Sequence, residues 1–409
     1  MKNREGAEKN PAAEQADHRR TSPGASPDSH VGSEPTAWPV VNPRGAMKRL
    51  HIVIVYNAYT EGAPEAPEDR AGTSELRTQI RHIARTLRRL RHTVTVLPLA
   101  HDLFAFQRKL RRLRPDVVFN LYDDVVHGAL YDMRLAALVR MMGFPLTGAP
   151  ALALGLTRYK FMTASLLAGA GVPIPPNTAI LETVRAVDQH HWQFPIIVQP
   201  SQEHAGVGLD RHSVVHSKKA LKQKVRDILL NYKQPALAQH FLPGREFNVG
   251  IVGGNRLRVL PLAEVDYTAL PADIPPIMSY AAKWIETSTE YQRTRVICPA
   301  DVEPELAARI SGVALRAFRA VGGRGYGRVD MRLDEQEQPC VLEVNCNPCL
   351  DEGMGLARSA EKAGISYPQL LQLIIRAALE PVPFDMGIPM LPEPPSRQKE
   401  PQPQAAAAP

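Results

Sequence analysis

The stretch Gly325-Tyr-Gly-Arg-Val-Asp-Met-Arg-Leu-Asp, followed by Val341-Leu-Glu-Val-Asn-Cys-Asn-Pro, contains two strand-like runs joined by a polar turn. Residues two apart in a strand point to the same side, so Glu343 and Asn345 present two oxygen atoms on one face of the second run. Asp330 on the first run can add a third oxygen ligand. The stretch therefore predicts a β-hairpin that carries a cluster of oxygen ligands.

An oxygen cluster of this kind favours a magnesium ion. Mg²⁺ keeps several waters and is commonly completed by nucleotide phosphates, and Mn²⁺ accepts the same ligands. Arg328, two positions before Asp330, shares the face of that aspartate and can neutralise transferred or developing negative charge. The alternative is a hairpin whose charged residues only face water, since short motifs also occur by chance. The rest of the chain has to decide between the two.

Length and composition indicate a globular protein of two or three domains. The chain has 409 residues, of which 44% are hydrophobic, and this exceeds the usual size of a single core. Four cysteines are too few for a disulfide scaffold, and Cys346-Asn-Pro-Cys349 lacks the second ligand pair of a zinc site. No run has the apolar character of a signal peptide or the roughly 20 apolar residues of a membrane span. We therefore expect a cytoplasmic protein with reduced thiols and no membrane contact.

The net charge of +7 comes largely from arginines in residues 77–91 and 108–114. In the first segment, apolar residues recur at helical spacing, which places the arginines on the opposite face. A solvated helix face is the favoured interpretation, and a nucleic-acid or membrane-surface site is the weaker alternative. No aromatic residues interleave with these arginines to stack on bases, so no nucleic-acid partner is expected. The apolar residues are Leu76, Ile80, Ile83, Leu87 and Leu90.

Composition and periodicity divide the chain into five segments. Residues 1–46 and 381–409 are rich in Pro and Ala and are predicted to be disordered tails. Residues 47–150 alternate strand-like and helical runs, which predicts an open α/β domain with parallel strands. Residues 151–243 and 244–380 are predicted to form two α+β subdomains, a small one with antiparallel strands and a large C-terminal one.

The predicted elements follow from these patterns. Strands are expected at 51–56, 93–97, 117–121, 144–147, 177–181, 195–198 and 236–242. Helices are expected near 74–91, 102–113, 130–142, 157–170, 217–231, 302–321 and 367–379. Gly253-Gly254-Asn255 is predicted to be a hairpin turn. Residues 268–295 are expected to form a long loop that acts as a lid.

The chain resembles the ATP-grasp superfamily and, within it, the D-alanine–D-alanine ligases, over roughly residues 50–380. Each matching stretch is weak alone, and their order and spacing together carry the likeness. The stretches are Val118-Phe-Asn, Gly143-Phe-Pro-Leu-Thr-Gly-Ala, Arg158-Tyr-Lys, Leu167-Ala-Gly-Ala-Gly-Val-Pro-Ile-Pro-Pro, Pro195-Ile-Ile-Val-Gln-Pro-Ser, Leu242-Pro-Gly-Arg-Glu-Phe, Ala281-Ala-Lys, Gly327-Arg-Val-Asp, Leu342-Glu-Val-Asn-Cys-Asn-Pro and Ala363-Gly-Ile-Ser-Tyr.

The resemblance implies a fold and a reaction. The fold is an N-terminal open α/β domain followed by a two-subdomain α+β ATP-grasp fold, with ATP held between the subdomains and Mg²⁺ bridging its phosphates. The reaction joins a small-molecule carboxylate to an amine, both of them amino acids in the family, through an acylphosphate. Relatives of this kind are often homodimers, which is an analogy alone.

The resemblance also implies roles for residues. The metal ligands fall on Asp330, Glu343 and Asn345, in agreement with the strand geometry. Lys160 matches a lysine that contacts the nucleotide phosphates, and Lys283 matches one on a mobile loop that closes over the γ-phosphate. The alternative for each lysine is an ordinary surface position.

The resemblance implies further roles in binding the nucleotide and in stabilising the oxyanion. Glu246 matches the acidic residue that accepts hydrogen bonds from the ribose hydroxyls, and a charge at a strand edge is its alternative. Phe241 and Leu242 belong to the nucleotide-binding segment, and Asn345 faces the nucleotide as well as the metal. Arg328 would stabilise the tetrahedral oxyanion.

The chain departs from the family pattern at the nucleotide. Gln199 stands where the family has a lysine that reaches the α- and β-phosphates, so one cationic contact becomes a neutral one. Gln239 stands where the family has an acidic residue at the adenine edge. The loop Gln202-Glu-His-Ala-Gly-Val-Gly keeps its glycines and loses the family's serines.

Departures on the substrate side are larger. Cys349 replaces a glycine, and Met354 and Gly355 replace the serine and leucine that receive the second D-alanine. Glu61 or Glu75 can substitute for the missing glutamate that binds an incoming ammonium, and the sequence does not choose between them. The leading hypothesis is therefore an ATP-grasp ligase with undefined substrates. The alternative is a nucleotide-binding protein with impaired catalysis.

Overall fold

Three β-sheets and their helices make up the described part of this computed structural model, residues 47–57, 67–99, 102–123 and 129–381. The first sheet is parallel, with strand order β2-β1-β3, as predicted. Strand β3 is buried along its whole length, which is typical of a parallel strand covered on both faces. The elements are β1 (His51–Asn57), α1 (Pro67–Arg89), β2 (Thr93–Leu99), α2 (Leu103–Leu113), β3 (Val117–Leu121) and α3 (Ala129–Met141).

Helix α1 has one buried and one exposed face. Ile80, Ile83 and Leu87 are buried, whereas Arg81 and Arg88 are exposed. This confirms the predicted solvated arginine face, because the apolar spacing turns the guanidinium groups away from the core.

Two short helices lead into a small antiparallel sheet with strand order β4-β7-β5-β6. The sheet has its own apolar core, to which α6 contributes Leu221, Val225 and Ile228. Ser217 caps α6 by accepting a hydrogen bond from the backbone N–H of Ala220. The elements are α4 (Ala151–Thr157), α5 (Lys160–Gly169), β4 (Ala179–Leu181), β5 (Ile196–Pro200), β6 (Val214–Val215), α6 (Lys218–Asn231) and β7 (Ala236–His240).

A larger antiparallel sheet follows, with strand order β11-β10-β8-β12-β13 and β9 paired with β8. Its apolar face packs on α9 through Ile310, Ala314 and Phe318, and the same core continues into the first sheet. The elements are β8 (Glu246–Gly253), β9 (Arg258–Val259), β10 (Ala263–Asp266), α7 (Tyr280–Trp284), α8 (Thr289–Arg293), β11 (Arg295–Ile297), α9 (Pro304–Ala320), β12 (Gly325–Leu333), β13 (Pro339–Asn345), α10 (Gly355–Lys362) and α11 (Tyr367–Leu379).

The predicted turn at Gly253 is present between β8 and β9. Gly253 has φ of 137°, a conformation that side chains rarely adopt, and a Cβ atom there would collide with the carbonyl oxygen of Arg256. A glycine is therefore required at this position.

The helix expected near 157–170 is present as α5, and the preceding helix α4 was not predicted. Two predictions about elements were wrong. The run at 144–147 is not a strand, because Leu146 alone bridges to Val118 on β3. The segment 268–295 carries α7 and α8, so it is not a loop without structure of its own.

The remaining predictions concern the two tails and membrane-spanning helices. The predicted tails, apart from Pro381, lie outside the described residues. None of the helices in the described ranges combines the length and the apolar character that a bilayer crossing needs.

Candidate active site

A cavity of about 570 Å³ lies between the small sheet and the large sheet. Strands β5 and β7 line one side of it, and β8, β12 and β13 line the other. The sequence-predicted site residues all line this cavity, although they come from eight separate elements and connections. They are Lys160, Gln199, Gln239, Phe241, Leu242, Glu246, Lys283, Arg328, Asp330, Glu343 and Asn345.

The hairpin of β12 and β13 supplies the carboxylates. Asp330 lies directly opposite Glu343, and Arg328 lies opposite Asn345, so the four side chains share one face. The register shifts between Asp330 and Met331. The antiparallel register thus brings together the oxygen ligands that the sequence pattern placed on this face.

Asp330 is held by four hydrogen bonds. Arg328 donates Nε to Oδ1 at 2.7 Å and Nη2 to Oδ2 at 2.8 Å, a bidentate arrangement that is among the strongest available to a carboxylate. Asn248 on β8 donates to Oδ1 at 2.9 Å, and Asn345 donates to Oδ2 at 3.0 Å. Burial by itself would lower the pKa of Arg328, but the charge and hydrogen bonds of Asp330 raise it above its usual value.

Glu343 is held by two donors from outside the hairpin. Lys160, the first residue of α5, places Nζ 2.9 Å from Oε1, and His204 Nδ1 lies 2.8 Å from the same oxygen. Burial would raise the pKa of Glu343, but the charge of Lys160 and the hydrogen bond from His204 hold it well below its usual range. Glu343 is therefore ionised and pairs with the Lys160 cation.

His204 was missed as a site residue. It lies in the loop between β5 and β6, and burial, assisted by Lys160, lowers its pKa in spite of Glu343. A carboxylate can only accept, so Nδ1 of the neutral ring carries the proton. Nε2 is buried and has no hydrogen-bond partner among the described residues, so it can accept a hydrogen bond from a ligand in the cavity.

The residues on this face fit Mg²⁺. Within the described ranges, no three side chains of His, Cys, Asp or Glu are placed to hold a metal ion by themselves. Asp330, Glu343 and the amide oxygen of Asn345 instead offer hard oxygen ligands in an incomplete set. Such a set suits an ion that takes its remaining ligands from water and phosphate.

Lys283 projects from α7 into the same cavity. Helix α7 is capped by Ser279 and tied to the β5–β6 loop, since Trp284 Nε1 donates to the carbonyl oxygen of Ala205 at 3.0 Å. No acidic partner of Lys283 is present among the described residues. Burial, together with the charge of Arg328, lowers the pKa of Lys283.

The opposite end of the cavity carries the residues predicted to contact the nucleoside. Gln239 donates Nε2 to Thr178 Oγ1 at 3.0 Å, which leaves its Oε1 as an acceptor. Gln199 and Gln239 lie on the same face of the small sheet, because Gln239 pairs with Ile197. An amide at Gln239 therefore keeps the acceptor that a carboxylate would offer, without its charge.

Glu246, the first residue of β8, is buried. It accepts a hydrogen bond from the Tyr267 hydroxyl at 2.9 Å and lies 3.4 Å from Nη1 of Arg332. Burial raises the pKa of Glu246 even though Arg332 opposes the shift. The guanidinium of Arg332 also lies 4.8 Å from the centre of the Phe241 ring, which fixes that ring beside the buried Leu242.

Arg332 and Tyr267 were also missed. Arg332 was detectable, because it follows Asp330 by two positions and so shares its face. Tyr267 has no such signal, since its hydroxyl reaches Glu246 only through the pairing of β10 with β8.

Three residues that depart from the pattern of the resembled family on its substrate side also line the cavity. They are Cys349, Met354 and Gly355, and Arg358 lines the cavity as well. All four cysteines are free thiols. Of the two alternative ammonium ligands, Glu61 lies outside the described residues, and Glu75 lies in α1 with its side chain outside them.

Comparisons with known proteins agree with this geometry. The family model for the D-ala D-ala ligase C-terminus matches residues 166–376. The uncharacterized protein y4sG of Sinorhizobium fredii is 33% identical over 262 residues, which span 64% of this chain and 74% of that protein. The D-alanine–D-alanine ligase of Desulforudis audaxviator is 29% identical over 260 residues, 62% of this chain and 80% of the relative.

Solved structures show the same fold. The crystal structure of D-alanine–D-alanine ligase from Bacillus anthracis complexed with ATP aligns with a TM-score of 0.58 at 18% identity, over 81% of this chain and 97% of that chain. The predicted fold class, an open α/β domain followed by an ATP-grasp fold, is thereby confirmed. The matched C-terminal region and the carboxylate hairpin within it show that the chain belongs to the D-alanine–D-alanine ligase family of ATP-grasp proteins.

Proposed function

We propose that the protein is an ATP- and Mg²⁺-dependent ligase that joins a carboxylate to an amine through an acylphosphate and releases ADP. The observation that carries this proposal is the convergence of Asp330, Glu343, Arg328 and Lys283 on one cavity. Phosphoryl transfer requires positioning and charge neutralisation more than a protein nucleophile. The two carboxylates and two cations that line this cavity can position charged groups and neutralise their charge. Mn²⁺ can replace Mg²⁺ at such oxygen ligands.

In the first step, an oxygen of the acceptor carboxylate attacks the γ-phosphorus and the bond to ADP breaks. Asp330, Glu343 and Asn345 would hold Mg²⁺, which when bound neutralises charge on the phosphates. Lys160 lies against Glu343 and would contact a phosphate from there. Lys283 would contact the phosphoryl group that is transferred, because it is a cavity-lining cation without an acidic partner among the described residues.

In the second step, a neutral amine attacks the acyl carbon and phosphate leaves. The negative charge that develops on the carbonyl oxygen needs a fixed cation. Arg328 is suited to this role because its bidentate bond to Asp330 holds the guanidinium in one orientation.

The nucleoside would lie at the other end of the cavity. We propose that Gln199 and Gln239 contact the nucleotide, that Phe241 and Leu242 line the base, and that Glu246 accepts from the ribose. Burial keeps Glu246 away from bulk water, so a hydroxyl donor there would meet little competition. We also propose the subdomain boundaries 151–243 and 244–380, which the separate core of the small sheet supports.

The test is product analysis. The protein is incubated with ATP, Mg²⁺ and pooled D- and L-amino acids, and ADP, phosphate and new amides are measured by coupled assay and mass spectrometry. We expect ADP release that depends on both substrates and equals amide formed. An absence of turnover across a broad panel of acids and amines would contradict the proposal.

A second candidate function is nucleotide binding without catalysis. Two glutamines, Gln199 and Gln239, stand where the family carries charged side chains at nucleotide contacts. This candidate predicts tight ATP binding without ligation. The paired carboxylates and Lys283 favour the ligase, because binding alone does not require them.

Gln199→Lys is expected to tighten ATP binding by about 3- to 10-fold, since a charged hydrogen bond to phosphate is roughly twice as strong as a neutral one. The dissociation constant is measured by calorimetry in the presence of Mg²⁺. Gln193→Lys is the matched control, because Gln193 is exposed and does not line the cavity. Equal affinities for Gln199→Lys and the unmodified protein would show that Gln199 does not face the phosphates.

As the pH is raised, kcat/KM for ATP is expected to decrease with a midpoint below about 10.4, the pKa of a free lysine. Burial lowers the pKa of Lys283, so the cation is lost at a lower pH than in water, and kcat/KM reports the free enzyme. Lys283→Arg keeps its charge throughout and should move this limb to higher pH. An identical limb in both proteins would assign the titration to another group.

A further inference from the structure

The first sheet gathers exposed cations at the edge where its strands begin. All strands of a parallel sheet begin at the same edge, and the segment before each of the three strands carries exposed cations. None of these cations lines the cavity. We name this surface the basic edge, and it consists of Lys48 and Arg49 before β1, Arg88, Arg89 and Arg91 before β2, and Arg111, Arg112 and Arg114 before β3.

The register of the sheet brings the three segments of the basic edge close together. His51 pairs with Thr93, and Ile52 pairs with Val117. The residues just before β1 therefore lie between those just before β2 and those just before β3. Arg49 reaches across to β2, since its Nη2 donates to Thr93 Oγ1 at 3.1 Å. Neighbouring strands are about 4.8 Å apart, so the basic edge is about 10 Å wide between its outer strands.

The charge of the basic edge is not neutralised within the described part of the chain. None of its cations forms an ion pair with another described residue. Asp116 lies at this edge, but it accepts a hydrogen bond from the backbone N–H of His51 at 2.6 Å. Asp102 is the one acidic residue between Leu76 and Pro115 in the sequence, and it caps α2 at the end away from the basic edge. The edge therefore carries a concentrated positive charge that an anion can neutralise.

Two of these arginines occupy positions that favour glycine. Arg91 follows α1 with φ of 67°, and Arg114 ends α2 with φ of 47°. The left-handed residue at the end of a helix is usually glycine, because a side chain there costs about 1–2 kcal/mol. Both arginines also lie beyond the last helical turn, where the helix dipole has little effect on a cation. Local stability therefore does not explain why arginine stands at both positions.

The positive surface continues from the basic edge along both helices. Arg77, Arg81, Arg85 and Arg88 form an exposed stripe on α1, and its ends lie about 16 Å apart at roughly 1.5 Å per residue. Exposed cations also continue from the edge onto α2, at Arg108. The connections through α1 and α2 cross the sheet in opposite directions, so right-handed crossovers place the two helices on opposite faces. The positive surface is therefore a ridge that runs over the edge of the sheet from one face to the other.

This shape favours one kind of polyanion. A flat membrane cannot contact both faces of the sheet at once. An acidic peptide would lose conformational freedom in laying its carboxylates along the ridge. A nucleic-acid duplex presents phosphates that are already in place, at one charge per about 1.7 Å of its axis. Arginine, which supplies all of the basic edge except Lys48, donates two parallel hydrogen bonds to a phosphate.

The lack of aromatic residues among these arginines is compatible with a duplex. Aromatic side chains stack on the bases of a single strand, and their absence was the reason for expecting no nucleic-acid partner. In a duplex the bases are stacked on each other, and binding without sequence preference depends on the phosphates. The expectation therefore holds for single strands alone.

We propose that the basic edge binds the phosphate backbone of a nucleic-acid duplex without reading its sequence. Binding there is independent of the proposed ligase function. The cavity lies at the other end of the same strands, because Asp123, which follows β3, lines it. ATP and a duplex can therefore be bound at the same time.

The test is the binding of a fluorescein-labelled DNA duplex of roughly 20 base pairs and mixed sequence to the full chain. Fluorescence anisotropy gives the dissociation constant between about 50 and 200 mM salt. We expect the logarithm of the affinity to fall linearly with the logarithm of the salt concentration, with a slope of about −4 to −6. The reason is that each phosphate contact releases about one counterion.

Arg91→Gly and Arg114→Gly remove charge without disturbing the backbone, because glycine is the favoured residue at both left-handed positions. We expect each to weaken duplex binding by about 5- to 15-fold at about 50 mM salt and to reduce the salt slope by about 1, and the double variant to reduce it by about 2. Lys233→Gly is the matched control for each single variant. Lys233 is an exposed cation with φ of 52° that follows α6, beside a different sheet, and its substitution should leave the affinity and the slope unchanged.

Three results would overturn the proposal. The first is no duplex binding at about 50 mM salt, and the second is an unchanged affinity and slope in the folded double variant. The third is tighter binding of poly-L-glutamate or of phosphatidylglycerol vesicles that is lost in the double variant, which would assign the basic edge to an acidic peptide or to a membrane surface. ADP release measured without a duplex should be equal in the double variant and the unmodified protein, so a failure of the ligase proposal leaves this test intact.

Discussion

Asp330→Asn and Glu343→Gln are each expected to lower ATP-dependent turnover by at least about 10³-fold, because each removes one of the two carboxylates proposed to hold Mg²⁺. The two side chains face each other across β12 and β13, so neither can replace the other. Turnover is measured as ADP release at saturating ATP. The affinity for Mg²⁺ is measured from the dependence of that rate on the metal concentration.

Both substitutions also affect stability. Asp330 accepts hydrogen bonds from Arg328, Asn248 and Asn345, and an asparagine would turn a donor toward them. Removing one partner of a buried ion pair costs about 3–5 kcal/mol, and the partial exposure of Arg328 places the expected cost at the low end. Thermal unfolding and circular dichroism must therefore accompany the assay.

The control for these carboxylates is Asp227→Asn. Asp227 is half-buried on α6 and does not line the cavity. It accepts a hydrogen bond from Gln223 at 2.8 Å, and its substitution should leave turnover unchanged. Removal of the metal with EDTA should abolish turnover in the unmodified protein, and added Mn²⁺ should restore it. Turnover within about tenfold of normal in folded Asp330→Asn and Glu343→Gln would show that these carboxylates do not hold the metal. Loss of folding in both would assign them a structural role.

Lys283→Met is expected to lower turnover by at least about 10³-fold while changing the affinity for ATP by less than about tenfold. The Lys283 side chain lines the cavity without an acidic partner among the described residues. Its charge is therefore available for the transferred phosphoryl group. An interaction that strengthens in the transition state lowers kcat when it is lost, whereas one of equal strength in the ground state raises KM.

The matched control for this lysine is Lys222→Met. Lys222 pairs with Asp188 at 2.7 Å on the surface of α6, and surface pairs of this kind contribute little. The Lys283 experiment also separates the two candidate functions. If the unmodified protein binds ATP tightly without turnover and Lys283→Met leaves that affinity unchanged, the protein is a nucleotide-binding protein and not a ligase.

The comparisons show which family the chain belongs to, whereas the reaction is proposed from the residues of the candidate site. The family-model match over residues 166–376 places the chain in the D-alanine–D-alanine ligase family. Met354 and Gly355 stand where the family pattern has the serine and leucine that receive the second D-alanine. The reaction type is therefore proposed from the residues that the chain retains, and the identity of its substrates does not follow from family membership.

Local patterns determined the elements that depend on near neighbours in the chain. The hairpin of β12 and β13 was predictable because alternation along two strands and one polar turn define its face. The amphipathic spacing of α1 was predictable for the same reason, since burial of Ile80, Ile83 and Leu87 follows from a period of 3.6 residues. The run at 144–147 was misread because a short apolar run becomes a strand only when a neighbour pairs with it, and here Leu146 alone does so.

The sequence by itself determined the ligand types and their shared face, because side-chain direction in a hairpin is a local property. The tertiary structure alone decided which hydrogen-bond donors meet those ligands. Lys160 reaches Glu343 across 183 residues of sequence, and His204 meets the same carboxylate through the packing of a loop from the small sheet. It also decided that Arg358 lines the cavity without an acidic partner among the described residues. Contacts of this kind depend on how separate sheets pack, and no periodicity in the chain records that packing.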